Sequence, residues 1–351
     1  MTDYAIGKLL DNDKKGYLAV DKLLKAEGLK RDPNLDYTCA VYDEEGDIVA
    51  TGSCFANSLR CLAVSQQHQG EGLMNIVVTH LIDEQFARGN PHIFLYTKCD
   101  TAKFFESLSF HEITRIPNQI VFMENKRSGF ADYLQNLTAC SPKTQPNQRI
   151  AAIVMNANPF TLGHQFLVEQ AALENDWVHL FVVSEDQSLV PFSVRKMLVQ
   201  QGVSHLANVI CHDSGDYIIS SATFPSYFQE NENAAIESNA LLDLEIFSQI
   251  AKTLGIQRRY VGEEPFSRVT HLYNQIMQQK LPEHGIECVV IPRQSSGNQI
   301  ISASKVRQCI KTGDFAQVQK MVPASTYDYF MSDAAQPVIS RIQQTEQVEH
   351  Y

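Results

Sequence analysis

Apolar positions along this chain alternate between a period of two and a period near 3.6. Between Gly16 and Gly28, Leu18, Val20, Leu23 and Leu24 stand among lysines and aspartates, which predicts a helix stopped by glycine within an otherwise helical-looking 1–36 stretch. Tyr37–Tyr42 and Ile48–Phe55 flank the acidic turn Asp43-Glu-Glu-Gly-Asp47 and read as a β-hairpin. A third strand, Leu59–Val64, leads into the loop Ser65–Gly72. From Leu73 to Arg88, Met74, Val77, Val78, Leu81, Ile82 and Phe86 keep helical spacing. A strand at Ile93–Thr97, a short helix at Ala102–Leu108 and a strand at Gln119–Met123 complete this half.

The pattern breaks between Leu137 and Arg149, which is polar and holds Pro142 and Pro146. A linker over 138–149 is expected there, between a first domain at 1–137 and a second at 150–335. The second half alternates. Strands are expected at 150–155, 178–183, 208–212, 258–262 and 287–292, with helices near 164–175, 193–205, 239–254, 266–280 and 304–320. Such alternation predicts a parallel sheet wound with helices, so the fold class is α/β. Residues 336–351 are polar and read as a surface helix or tail.

Composition narrows the function classes. The 351 residues exceed one ordinary core, and 44% apolar with 20% charged residues is typical of a globular chain. A formal charge of −11 argues against a nucleic-acid binder but not against a local phosphate site. No apolar run approaches a membrane span and Met1-Thr2-Asp3-Tyr4 opens no signal peptide, so a cytoplasmic location is expected. Cysteines 39, 54, 61, 99, 140, 211, 288 and 309 are scattered without zinc spacing and read as buried reduced thiols; Cys54 and Cys61 alone raise a redox-pair alternative.

The chemistry concentrates where strands end. After the apolar run Ile150–Met155 comes the turn Asn156-Ala157-Asn158-Pro159-Phe160, then Thr161-Leu-Gly-His164 at a helix start. A helix N-terminus offers unpaired N–H groups and a positive dipole end, Gly163 permits close approach, and His164 can donate to phosphate. Gly262-Glu263-Glu264-Pro265 follows the fourth strand of this half, and Ile301-Ser-Ala-Ser-Lys-Val-Arg307 opens a late helix. All three fall at the carboxyl ends of strands, where open α/β sheets bind ligands. Candidate catalytic residues are therefore His164, Thr161, Lys305 and Arg307. Candidate ATP contacts are Asn156, Asn158, Phe160, Gly163, Gly262, Glu263, Ser302 and Ser304. Mg²⁺ would arrive mainly on ATP oxygens, with no protein metal cage expected. Each has a plainer alternative: Thr161 as a helix cap, Lys305 and Arg307 as solvated charges, Glu263 and Glu264 facing water. Ser220–Pro225 reads as a loop or a substrate wall, Tyr217 and Phe224 as packing, and Arg195 and Arg293 as partners for phosphate or carboxylate.

In the first half, Gln67-His-Gln-Gly-Glu-Gly72 links a strand to a helix, so its amides can face an anion. With the later Phe104-Phe-Glu-Ser-Leu-Ser-Phe110, this order resembles the GNAT acetyltransferase family over roughly 35–125. Ser109 stands where that family usually has glycine. The resemblance implies that Gln67, Gly70 and Gly72 hold the pyrophosphate or pantetheine portion of a CoA-like group; no catalytic base is evident, His68 included.

Thr-x-Gly-His with Ile-Ser-x-Ser-x-x-Arg resembles the nucleotidyltransferase superfamily. Within it, Gly215–Phe228, Arg259–Pro265 and Ile301–Arg307 resemble the citrate lyase ligase family, which also joins a GNAT-like domain to a nucleotidyltransferase domain. That resemblance implies an acid–thiol ligase. Acetate attacks ATP to give acetyl-adenylate and pyrophosphate, and the thiol of a CoA-like group on the citrate lyase acyl carrier subunit then displaces AMP. A cofactor-making nucleotidyltransferase and a binding protein built from two degenerate enzyme folds are the alternatives.

Overall fold

The computed structural model describes residues 4–184, 187–218, 224, 227, 232–263, 268–292, 295–296 and 299–348. The elements run β1 (Ala5–Lys8), α1 (Lys14–Ala26), β2 (Tyr37–Tyr42), β3 (Ile48–Phe55), β4 (Ser58–Val64), α2 (Leu73–Ala87), β5 (Phe94–Thr97), α3 (Ala102–Ser107), β6 (His111–Ile116), β7 (Ile120–Glu124) and α4 (Gly129–Ala139). Next come β8 (Ile150–Met155), α5 (Leu162–Glu174), β9 (Trp177–Val182), α6 (Phe192–Gly202), β10 (Val209–Asp213), α7 (Glu232–Leu254), β11 (Arg258–Gly262) and α8 (Arg268–Lys280). The chain closes with β12 (Glu287–Ile291), the short strands β13 (Ser295–Ser296) and β14 (Gln299–Ile300), α9 (Ala303–Thr312), α10 (Phe315–Gln319), α11 (Ala324–Phe330) and α12 (Gln336–Gln344). Two compact units result, Met1–Phe130 with Thr223–Leu242, and Ala131–Ala222 with Asp243–Tyr351.

The first unit is a seven-stranded sheet in the order β1-β2-β3-β4-β5-β7-β6. Its neighbours are antiparallel except β4 and β5, which run parallel and pair only at Ser58↔Phe94 and Leu59↔Leu95. Helix α2 packs its Leu73, Val77, Val78 and Leu81 into the main apolar cluster of this unit. Gly52 makes that docking possible, because a Cβ there would stand 2.4 Å from a Val77 methyl.

The second unit holds a five-stranded parallel sheet in the order β10-β9-β8-β11-β12. Strand β8 pairs with β9 from Ile150↔Trp177 to Met155↔Val182. With β11 it pairs only at Arg258↔Ala151 and Arg259↔Ala152, so the carboxyl ends of β8 and β11 part. Sequence order also reverses there, which makes it the topological switch point where ligands of wound sheets bind. The expected α/β organisation, a mixed sheet and then a wound parallel sheet, is the one observed.

Several elements differ from expectation. Strand β1 forms an edge in a stretch that looked helical, and β6 and α4 were not anticipated. Helix α7 starts at Glu232 rather than 239. The helix expected over 304–320 is two, because Gly313 at φ 78 ends α9 in a left-handed cap. Residues 336–344 are a helix whose Val338, Ile339 and Ile342 are buried in an apolar cluster with α9 residues. Of the cysteines, 39, 54 and 61 are buried, Cys140 is exposed, and all are free thiols. Among the described residues, no helix is long and apolar enough to cross a membrane.

Candidate functional site

Helix α5 begins at the switch point with Thr161 as an extended N-cap, φ −122 and ψ 166. The Thr161 hydroxyl accepts the His164 amide at 3.3 Å, and the Thr161 amide donates to Nδ1 of His164 at 3.1 Å. The pair is a capping box with histidine in the place of the usual glutamate. Because Nδ1 is an acceptor here, the neutral ring carries its proton on Nε2. The Leu162 amide donates to Met321 O at 2.9 Å. Among the described residues that leaves the Gly163 amide as the first-turn donor without a protein acceptor. A Cβ on Gly163 would meet nothing closer than 3.6 Å, so protein packing does not demand glycine there.

Helix α9 starts beside it. The same added Cβ would lie 3.8 Å from both Cγ2 and O of Ile301. Ser302 caps α9 by accepting the Lys305 amide at 3.2 Å and lies 3.1 Å from the Ser304 hydroxyl. Among the described residues the amides of Ala303 and Ser304 have no protein acceptor, so a second helix start adds donors to the first. Gly262, at the end of β11, has nothing within 4 Å of an added Cβ. Glu263 is exposed and its amide donates to Ile291 O at 2.9 Å. Glu264, Pro265, Arg293, Ser220–Thr223 and Pro225 lie outside the described residues.

Other named residues stand behind this surface. Arg307 is 2% exposed; its Nη1 donates to Asn158 O at 2.6 Å and its Nε to Val348 O at 2.7 Å. Burial lowers its pKa to about 10, still well above neutrality. It therefore ties α9 to the β8–α5 loop through backbone oxygens, whereas the sequence suggested charge offered to a ligand. Phe160 is wholly buried, stacks on the His164 ring at 5.8 Å and fills the space left by Gly202. The Asn158 Oδ1 accepts the Val190 amide at 3.1 Å, while among the described residues its buried Nδ2 has no partner. The Asn156 side-chain Nδ2 donates to Ser188 Oγ at 3.0 Å. Arg195, fully buried, donates Nη1 to Asn156 O and Val183 O at 2.9 and 2.7 Å and Nε to Val190 O at 3.0 Å. Two buried guanidiniums thus hold carbonyls of one loop, an arrangement residue type alone does not reveal.

In the first unit, Gln66–His68 form a short turn and Gly70 and Gly72 take φ +89 and +78 with open space about them. Gln67, Gly70 and Gly72 are all exposed at the start of α2. Among the described residues the amides of 70–74 have no protein acceptor, which suits an anion. Tyr217 packs on Tyr133 at 4.9 Å in the second unit, whereas Phe224 meets Tyr96 edge-on at 5.9 Å in the first. The Gly215–Phe228 stretch therefore contributes to both.

Comparison with known proteins covers nearly the whole chain. Residues 150–330 match the family of the citrate lyase ligase C-terminal domain, and residues 10–111 the acetyltransferase (GNAT) family. A Haemophilus influenzae protein named citrate (pro-3S)-lyase ligase is 36% identical over 327 residues, 91% of this chain and 96% of its own. An Escherichia coli protein of the same name is 36% identical, covering 92% of each chain. A solved structure, Thermotoga maritima TmcAL bound with alpha-thio ATP, aligns over 52% of this chain and 55% of its own at 12% identity and a TM-score of 0.39.

Proposed function

The chain belongs to the citrate lyase ligase family, and on that premise we propose that it activates acetate with ATP and acetylates a carrier-bound thiol. An acetate oxygen attacks the α-phosphorus of ATP, forming acetyl-adenylate as the bond to pyrophosphate breaks. A thiolate on the CoA-like group of the citrate lyase acyl carrier subunit then attacks the acetyl carbon, and AMP leaves as the thioester forms. Nucleotidyl transfer needs donors aimed at the departing pyrophosphate, prepared before the reaction so that nothing reorganises during it.

The observation that carries this reading is the capping box at Thr161 and His164. It leaves the Gly163 amide as a donor at the switch point among the described residues, beside the α9 amides of Ala303 and Ser304, and it puts the proton of the neutral His164 ring on Nε2. Lys305 adds charge at the same helix start, and Arg307 and Arg195 hold the loop from behind. Mg²⁺ belongs to this scheme as part of the ATP complex. Among the described residues no group of three His, Cys, Asp or Glu side chains converges on a metal position. In the first unit, the amides of 70–74 suit the pyrophosphate end of the CoA-like group, with its pantetheine arm reaching into that unit.

Exchange of labelled pyrophosphate into ATP tests the scheme. Acetate-dependent exchange is expected, falling by ~100-fold or more in His164→Ala, the scale of losing one transition-state donor. Exchange that requires a mononucleotide or phosphopantetheine in place of acetate points to cofactor synthesis instead. An unimpaired His164→Ala removes that residue from the chemistry.

A further inference from the structure

Strands β4 and β5 share two paired positions and then separate. Just beyond, Arg60 pairs with Ser53 and Ala63 with Thr51, so Cys61 and Leu62 together oppose Gly52. Cys61 takes φ 52 in this bulge. A bulge next to a parting of strands leaves backbone donors and acceptors with no ladder partner, which is where an extended ligand can pair with a sheet.

One side chain meets those groups. The Tyr227 hydroxyl donates to Tyr96 O at 3.3 Å, on β5. The Cys61 backbone N–H, on β4, donates to the Tyr227 hydroxyl oxygen. Tyr227 is 6% exposed and clusters with Cys61, Ala63, Leu9 and Leu24, while its carbonyl accepts the Lys30 amide at 2.8 Å. Burial holds its pKa far above the ordinary tyrosine value, so the hydroxyl keeps its proton and stays a neutral donor. Phe224 covers the neighbouring Tyr96 ring edge-on at 5.9 Å.

A hydroxyl that accepts from one strand and donates to the other satisfies the two groups a secondary amide satisfies. The amide carbonyl takes the Cys61 N–H, and the amide N–H gives to Tyr96 O. A pantetheine arm carries such amides in an extended chain, and the amides of 70–74 lie beyond the short 65–69 loop that follows β4. We propose that Tyr227 is a built-in occupant of the β4–β5 cleft, standing in for an amide of a pantetheine-type arm, which enters only by displacing it. This rests on the reading that the first unit receives that arm, and it sets what the arm must overcome. The tyrosine comes from a stretch 131 residues away from its Tyr96 partner, so the occupant belongs to the same unit without being part of its sheet.

Calorimetric titration of the full chain with coenzyme A as the probe tests the idea. Circular dichroism melting reports whether each variant folds. Tyr227→Ala is expected to bind ~10-fold or more tightly than the wild type, and Tyr227→Phe, which keeps the ring and loses the hydroxyl bridge, ~3-fold more tightly. Should Tyr227→Ala fail to melt cooperatively, the Tyr227→Phe comparison decides alone. Equal affinities overturn the occupant role and leave arm binding in the first unit standing. Weaker binding by the variants overturns it too, making Tyr227 a ligand contact. Absence of binding in all of them overturns both the occupant and the arm-binding reading.

Discussion

Because the Thr161 amide donates to His164 Nδ1, one hydrogen bond both caps a helix and decides which ring nitrogen bears the proton. Gly163 sits between these two residues with its amide unpaired among the described residues and its α-carbon uncrowded. The expected behaviour of Gly163→Ala follows. Its methyl finds no protein atom within 3.6 Å, and alanine favours a helix by up to ~1 kcal/mol, so thermal melting should stay level or rise. The same methyl adds bulk one bond away from the donor nitrogen, so the KM for ATP in pyrophosphate exchange should rise ~10-fold. A lowered melting temperature, or an unchanged KM, speaks against a phosphate at this amide. Thr161-x-Gly-His164 was legible from sequence because capping and glycine chemistry are local. The directions of Arg307 and Phe160 were not legible, because a charge or a ring in a sequence does not say which way it points. Tertiary packing turns both inward.

Among elements, the support of His164 comes from a neighbouring helix. Gly202 ends α6, and a Cβ there would stand 2.3 Å from the Phe160 ring that stacks on His164. Gly202→Ala must therefore push Phe160, at an overpacking cost of about 1–3 kcal/mol by urea melts. Lower kcat in exchange should accompany it, with a smaller effect on the KM for ATP, since His164 moves while the Gly163 amide does not. A variant with full kcat shows that the stacking is idle. The strands around this site were legible where both faces are buried, as in Ile150–Met155, because such runs have no polar alternation to dilute them. Strand β1, with four residues at a sheet edge, carries too little pattern. In β6, His111-Glu-Ile-Thr-Arg-Ile116, the buried positions Ile113, Thr114 and Ile116 do not alternate and only two of them are apolar, so the period of two is lost. Helix α12 reads in sequence as a surface helix or tail because Val338, Ile339 and Ile342 are sparse among polar neighbours; only their packing with α9 residues gives them a purpose.

At the scale of the molecule, acid sensitivity has an identifiable source in the second unit. His179 and His212 are buried with Nδ1 and Nε2 2.8 Å apart, and among the described residues His179 Nε2 has no partner. Burial pushes both below the ordinary histidine value of 6.5, and for His179 the neighbouring His212 adds to it. The unfolded chain then binds more protons than the folded one below about pH 6.5, so stability falls as the pH drops through that range. Denaturant melts from pH 7 to 5 should show a slope of up to ~1.4 kcal/mol per pH unit for each histidine, flattened in His179→Val/His212→Leu. An identical slope in the double variant places the sensitivity elsewhere. The order of elements made the two-part α/β character legible, but not that Thr223–Leu242 clusters with the first unit, since nothing local marks a return. That return has a consequence for how the protein is made. A ribosome that has finished Phe130 must add roughly 100 more residues before Tyr227 exists, about 5–20 s at ordinary elongation rates. During that interval the nascent β4–β5 cleft has its bulge and its strand edges but not its tyrosine. Translation therefore passes through a form whose unpaired edges are open to other chains, and slow codons between Phe130 and Tyr227 would lengthen its exposure.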